Sequence, residues 1–263
     1  MINSANPIYS SKIIKAGALL ADTKTLLANW DKALTVSENL DRVRRDNIFG
    51  KASRSRVEDI LAIFRQRYLT DEQVTEALVI LTKRQFSGQA LDLVLYFYSA
   101  QADLLLHDIV TQLLSRLQAQ GRTNVTVQDI EAALSHWVEE GKMVSHWSQG
   151  TISRVAQGLL ATLRDFGVLQ GAVKKRLTPI YLPVEAFAFL AFQLSRTQPS
   201  GNKLVHHPEW QLFFLIPEAV ERFFIAAHQE GLLQYHAAGS TVRIDFPAQS
   251  IEEYAHALTQ RSR

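Results

Sequence analysis

The chain has 263 residues, enough for one large domain or two to three small ones with a substantial core. Hydrophobic residues make up 47% and charged residues 21%, ordinary for a globular protein, and there is no cysteine, which excludes disulfides, thiolate metal sites and thiol nucleophiles and suits a reducing cytoplasm. Net charge is only +2, the longest apolar stretches (186–192 and 212–216) are far shorter than the ~20 residues of a membrane span, and the N-terminus lacks a signal-peptide pattern, so a cytoplasmic protein with no membrane contact is expected.

Seven prolines and twelve glycines are little punctuation for this length and favour long helices over many short strands. Residues 1–11 read as a loose tail. The apolar spacing predicts a helix from Ile13 to Leu34. Thr35-Val36-Ser37-Glu38 matches a capping box opening a short helix near Leu40 to Ile48. A turn follows at Phe49-Gly50-Lys51-Ala52, with Gly50 free to take positive φ. Ser55-Arg56-Val57-Glu58 is a second capping box, opening a helix with Val57, Ile60, Leu61, Phe64 and Tyr68 on one face. Thr70-Asp71-Glu72-Gln73 caps a helix reaching Lys83. Two strongly apolar helices are predicted at 89–101 and 103–120, then one from Thr126 to Glu140, stopped by Gly141. Ser148 precedes a helix striped by Ile152, Val155, Ala156, Leu159, Leu160 and Leu163, ending at Phe166-Gly167. Short extended runs follow at Val168 to Leu169 and Leu177 to Leu182. Beyond Val184 the composition turns aromatic and poor in charge: a helix at 185–196, a loop near 199–202, a helix at 217–230, a hairpin around Ala238-Gly239 and a terminal helix opened by Ser250.

These elements give a mainly α fold, a helical bundle with helix-turn-helix and winged-helix units and small β-hairpin wings. The expected segments are 1–85, an N-terminal helical region with the helix-turn-helix-like unit; 86–184, a bundle leading into a winged helix; and 185–263, a C-terminal winged-helix-like domain.

Charge is unevenly spread. Residues 41–67 hold eight Arg/Lys against four Asp/Glu and residues 142–176 hold six against one, whereas the remaining positions carry 14 basic and 21 acidic residues. Such clustering is the electrostatic footprint of polyanion binding, or else two solvated helix faces. In a winged helix at 126–182 the second helix would offer Gln149, Thr151, Ser153, Arg154 and Gln157 from its N-terminal part to a major groove, and the wing would present Lys174, Lys175 and Arg176 to phosphates. The alternative is a winged helix used for protein contact. In the unit at 38–68, Arg42, Arg44 and Arg45 flank the turn, and Lys51, Ser53, Arg54 and Arg56 begin the next helix. Cations there oppose the helix macrodipole, which invites either an incoming phosphate or pairing with Glu58 or Asp59. The two basic windows are expected to act together on nucleic acid.

Enzymatic signatures fail. Gly50-Lys51-Ala52-Ser53 lacks the hydroxyl residue directly after Lys and the leading Gly of a P-loop. G-x-S-x-G, G-x-G-x-x-G and H-E-x-x-H are all missing, so no catalytic residue, metal or cofactor is expected. His206-His207 reads as a loop feature, His107-Asp108 as a helix-surface pair, Glu139-Glu140 as a solvated helix end. Trp137, Trp147 and Trp210 read as core rather than base-stacking platforms.

Three segments carry a family likeness: Tyr9-Ser10-Ser11 with Lys15-Ala16-Gly17-Ala18-Leu19-Leu20; Arg67-Tyr68-Leu69; and Trp147-Ser148-Gln149-Gly150-Thr151 through Leu163-Arg164-Asp165-Phe166-Gly167-Val168-Leu169. In order and spacing they resemble the BrxA family of BREX bacteriophage-exclusion systems, over roughly residues 8–185. The resemblance implies a component of a phage-defence locus acting beside a DNA methyltransferase. It implies either a winged-helix protein binding duplex DNA or a NusB-like protein binding RNA, and offers no catalytic residue. An adaptor docking other BREX proteins is the third reading. The expectation is duplex DNA binding without catalysis.

Overall fold

The computed structural model describes residues 9–143, 145–239 and 241–261. The chain is mainly helical with two small antiparallel sheets, as the sequence predicts. Among the described residues no helix is long and apolar enough to cross a membrane. Contacts divide the chain into two compact units: the residues up to Leu19 with Ser99–Ile180, and Leu20–Tyr98 with the residues from Tyr181 on. The three contiguous segments read from the sequence and these two interleaved units cut the chain at different places.

In chain order, α1 (Ile13–Ala16), α2 (Leu20–Ala28), α3 (Val36–Arg45), α4 (Arg54–Tyr68) and α5 (Glu72–Lys83) precede α6 (Gly88–Ala102). Helix α7 (Leu104–Asp108) passes through a π-helical stretch, Ile109–Leu114, into α8 (Ser115–Ala119), followed by β1 (Asn124–Val125), α9 (Val127–Glu139), α10 (Gln149–Asp165), β2 (Leu169–Gln170) and β3 (Lys175–Leu177). Then come α11 (Val184–Ser195), α12 (Gly201–Val205), a 3-10 helix at Pro208–Phe213, α13 (Pro217–Gln229), β4 (Gln234–Ala238), β5 (Thr241–Asp245) and α14 (Ile251–Arg261).

Helix starts follow local chemistry. Thr35 with Glu38 and Thr126 with Asp129 close reciprocal capping boxes. Asp71 caps α5 and Ser148 caps α10. Helix α4 begins earlier than predicted. Ser53, not Ser55, is its cap and accepts from the Arg56 N–H. Glu58, which would complete a box with Ser55, is instead held by Arg44 at 2.8 Å. The helix predicted from Ile13 to Leu34 is broken. Gly17 and Leu19 take φ of 55° and 52°, and the two pieces serve different cores, α1 in the first unit and α2 in the second. Continuous apolar spacing conceals the break.

In the first unit α10 packs against α9 and α1, and its predicted stripe is buried. Gly158 lets α1 come close, since a Cβ there would lie 3.3 Å from the Ile13 carbonyl oxygen. The sheet order is β1-β3-β2, with Asn124 opposite Arg176 and Leu169 opposite Leu177. Strand β1 escapes sequence prediction, two residues being too short for periodicity to register. The extended run predicted from Leu177 to Leu182 is a strand only at Leu177; β3 lies ahead of it, from Lys175.

The tail is not loose from Tyr9 onward; residues 1–8 lie outside the described residues. Tyr9 is buried, its N–H donates to the Lys142 carbonyl at 2.7 Å, and its ring centroid lies 5.1 Å from that of Trp137. Its hydroxyl donates to Asp108 Oδ2 at 2.5 Å. Asp108 is thus a buried partner, not a helix-surface residue, because the N-terminal segment covers it. Trp137 and Trp147 are core residues, as expected.

In the second unit α5 packs on α14, and α11 packs on α13 and α14. The Phe187 ring stacks on both Trp210 (4.6 Å) and Phe223 (4.9 Å), and Phe192 stacks on Tyr254. A fully buried side chain such as Phe187 contributes about 1.5–3 kcal/mol by leaving water. The apolar face of α4 (Val57, Ile60, Leu61, Phe64, Tyr68) joins this unit's core. The predicted loop at 199–202 contains the start of α12, where Gly201 is required: a Cβ would lie 2.4 Å from the Val242 carbonyl oxygen.

Candidate nucleic-acid interface

Each unit carries one of the two basic windows, on different architecture. In the first unit the order is helix, strand β1, helix α9, helix α10, then the antiparallel β2–β3 pair, with β3 central in the sheet. Ser148 opens α10 in extended backbone and its hydroxyl accepts from the Thr151 N–H. The first turn of α10 contains no acid. Gln149, Arg154 and Gln157 are exposed, and Thr151 is half-buried beside the Ser148 hydroxyl at 3.1 Å. Arg154 reaches back and donates from Nε to the Gly150 carbonyl at 3.2 Å, which leaves its two terminal nitrogens to offer. Ser153 departs from the expected groove-facing set, its hydroxyl donating to Glu131 Oε1 of α9 at 2.6 Å. It ties the two helices together.

The β2–β3 hairpin, expected as a wing, also departs from expectation. Lys174 and Arg176 are exposed and make no ion pair among the described residues, but Lys175 is buried. Its ammonium turns inward and donates to the Gly171 carbonyl at 2.8 Å and to that of Ala172, tying down the hairpin turn. Side chains alternate along a strand, so three consecutive cations cannot all face one way. At the turn itself Val173 is 93% exposed.

In the second unit, α3, the turn after it and the start of α4 enclose a hollow of about 580 Å³ lined by Asp41, Arg44, Arg45, Asn47, Lys51, Arg54 and Val57. Asn47 is the residue that sequence reasoning misses. With φ of 44°, its side chain both donates to the Lys51 carbonyl and accepts from the Lys51 N–H, each at 3.1 Å, fixing the turn that Gly50 (φ 60°) completes. An Asn three residues before a Gly, just past a basic helix end, is the signal that could have found it.

Three of the hollow's cations are held by carboxylates, of which only Asp41 lines the hollow. Arg44 lies 2.8 Å from Glu58 and 2.5 Å from Asp41; hydrogen bonding to Glu58 pushes its guanidinium pKa further up. Lys51 reaches Asp22 at 2.8 Å. Arg45 is well exposed and pairs only with neighbouring Asp46. Arg54 is exposed and makes no ion pair among the described residues. Arg56 is half-buried beyond the hollow's lining. Arg42, expected as a phosphate contact, is instead turned toward the 29–31 loop, where it donates to the Asn29 carbonyl and lies 3.8 Å from Asp31. Ser53 serves as the helix cap.

Histidine and acidic positions follow simpler chemistry. His206 sits at 2.9 Å from the Asn202 carbonyl, and His207 accepts the Glu209 N–H to open the 3-10 helix. Glu140 pairs with His136 and Lys142. Among the described residues no three His, Asp or Glu side chains converge as a metal site would require.

A solved structure, described as that of an uncharacterized protein from Magnetospirillum magneticum, is similar at a TM-score of 0.59 with 14% identity, covering 72% of this chain and 95% of that one, a likeness of fold alone. No curated protein matches the chain. The family model of BrxA matches residues 7–193, well over half the sequence and including both basic windows. The chain therefore belongs to the BrxA family, a BREX-associated family.

Proposed function

We propose that this chain is a non-catalytic protein of BREX phage defence that binds duplex DNA through the α9–α10–wing region of its first unit. The observation that carries the reading is the exposed polar start of α10 (Gln149, Arg154, Gln157) beside a small sheet whose exposed cations, Lys174 and Arg176, are unpaired among the described residues. The order of elements supports reading this region as a winged helix. Its second helix fits a major groove about 12 Å wide, and amide and guanidinium groups at that helix's start suit base edges and phosphates. The wing cations suit phosphate alone, because nothing at a hairpin tip fixes a base-reading geometry. The sequence provides no phosphate-cradling, nucleophile or metal motif, which supports binding without catalysis.

One observation favours docking of another BREX protein as a second reading. Beside exposed Val173 lies a hollow of about 430 Å³ whose walls include Val125, Val127 and Leu160. The test is one electrophoretic comparison of duplex DNA, single strands and structured RNA over a salt series. Duplex preference with affinity falling by orders of magnitude from low to moderate salt supports the proposal. A preference for RNA gives the NusB-like reading, and no nucleic-acid binding gives the adaptor.

A further inference from the structure

We propose that the α3–α4 hollow of the second unit is a binding site for a terminal phosphate monoester, as found on a free nucleotide or at a phosphorylated nucleic-acid end.

Four of the seven lining residues are cations, Arg44, Arg45, Lys51 and Arg54, against a single carboxylate, Asp41. Asp41 holds Arg44 at 2.5 Å from within the lining, whereas the other carboxylates that hold these cations, Glu58, Asp46 and Asp22, are not among the lining residues. Glu58 and Asp22 fix Arg44 and Lys51 in place without lining the cavity. Each guanidinium has five N–H donors, so Arg44, using two of its nitrogens on carboxylates, keeps others to offer. Arg45 and Arg54 have their charge almost wholly available, since a pair between exposed neighbours is weak. The turn at Asn47 and Gly50 is locked by side-chain hydrogen bonds, so little ordering remains to be done when a ligand arrives. Arg54 sits at the first position of a 15-residue helix with no acid in its first turn, where a cation alone is disfavoured and an anion beside it is favoured.

The shape selects the ligand class. A monoester dianion brings two charges and three free oxygens to one point, which suits convergent cations. A diester brings one charge and must lead a chain away on both sides. At about 580 Å³ the hollow has room for the sugar that follows the phosphate. Val57 is its one apolar lining residue, and no aromatic ring lines it, so nothing there distinguishes one base from another.

Binding here does not depend on duplex binding by the first unit and is tested without a duplex. Thermal unfolding and calorimetric titration of the full chain with inorganic phosphate, adenosine monophosphate, guanosine monophosphate and unphosphorylated adenosine, at matched ionic strength, provide the first arm. The phosphate-bearing probes are expected to bind and raise the unfolding temperature, the two nucleotides equally and adenosine not at all. Arg45→Ala/Arg54→Ala is expected to weaken binding at least roughly tenfold while remaining folded, since both side chains are exposed and removing Arg54 relieves the helix start. The second arm compares single-stranded oligonucleotides with a 5′-phosphate or a 5′-hydroxyl. A roughly tenfold preference for the phosphate, lost in the double variant, assigns the site to nucleic-acid ends. Equal affinities together with nucleotide binding assign it to free nucleotides. No binding of any phosphate-bearing probe, or binding unchanged in the double variant, overturns the proposal.

Discussion

Around the α3–α4 hollow, Arg44, Arg45 and Lys51 each touch a carboxylate; at the β2–β3 wing, Lys174 and Arg176 touch none among the described residues. In the sequence the two windows carry similar excesses of positive charge. The hollow uses carboxylates to fix where its cations stand, giving up net charge for geometry. The wing leaves the charge of Lys174 and Arg176 unneutralised and exposed. Paired cations act over hydrogen-bonding distances and tolerate salt. Unpaired surface cations act over a Debye length, about 8 Å at physiological ionic strength, and are screened as salt rises. Equal charge counts therefore imply different kinds of anion recognition.

The most severe way to break this comparison is charge reversal. Arg154→Glu/Lys174→Glu/Arg176→Glu should lower duplex affinity at low salt by roughly a hundredfold or more, read by fluorescence anisotropy. Arg54→Glu/Arg56→Glu should cause a much smaller loss. Equal losses would mean that the hollow lies along the same polyanion as a plain basic patch.

The next largest effect concerns the platform that carries the wing. Burial pushes the Asp108 carboxyl up, but hydrogen bonds from His107, Tyr9 and Gln112 and the charge of His107 outweigh it and hold its pKa below the usual value. A depressed folded pKa means that the unfolded chain takes up the proton first. The stabilisation is complete above the unfolded carboxyl's value, about 3.9, and is lost as pH falls through the folded one. Burial and the bond to Asp108 push the Tyr9 hydroxyl up, so ionisation opposes folding at strongly alkaline pH. Asp108→Asn should cost about 1.5–3 kcal/mol near neutral pH. Chemical denaturation from pH 7 down to 3 should show the gap to wild type closing in acid; a constant gap would mean that the carboxylate's charge plays no role.

Within the wing, Lys175 and its neighbours should separate. Lys175→Ala leaves the Gly171 and Ala172 carbonyls without their ammonium partner and should destabilise the chain by about 1–2 kcal/mol, visible as a lower unfolding temperature. Lys174→Ala and Arg176→Ala should stay within about 0.5 kcal/mol of wild type. The smallest effect is in binding itself: each of these last two should weaken duplex affinity evenly across sequences and flatten the logarithmic salt slope by roughly one unit. A change in sequence preference would instead place them at base edges.

Much of this is legible in the sequence. Thr35, Thr126 and Ser148 mark helix starts correctly because a cap is a bond between a side chain and a backbone group three residues away. The stripes of α4 and α10 are visible because one helical period repeats along them. Arg45, Lys51 and Arg54, grouped by sequence alone, do line one hollow, since a short turn joins their helices. Lys175 groups with its neighbours in the sequence, although strand alternation would set it apart. Arg42 and Ser153 cannot be read correctly from the chain alone, because their partners, Asn29, Asp31 and Glu131, come from other elements.

By itself, then, the sequence determined the mainly helical class, most helix limits, the core faces and the two basic windows, all set by interactions within a few residues. Tertiary structure alone decided that the chain changes cores at Gly17 and Leu19, that β1 joins the wing, that Tyr9 covers Asp108 across 99 positions, and which cations remain free. Charge is written in the residues, but whether a carboxylate, a carbonyl or water meets it depends on which distant segments packing brings alongside.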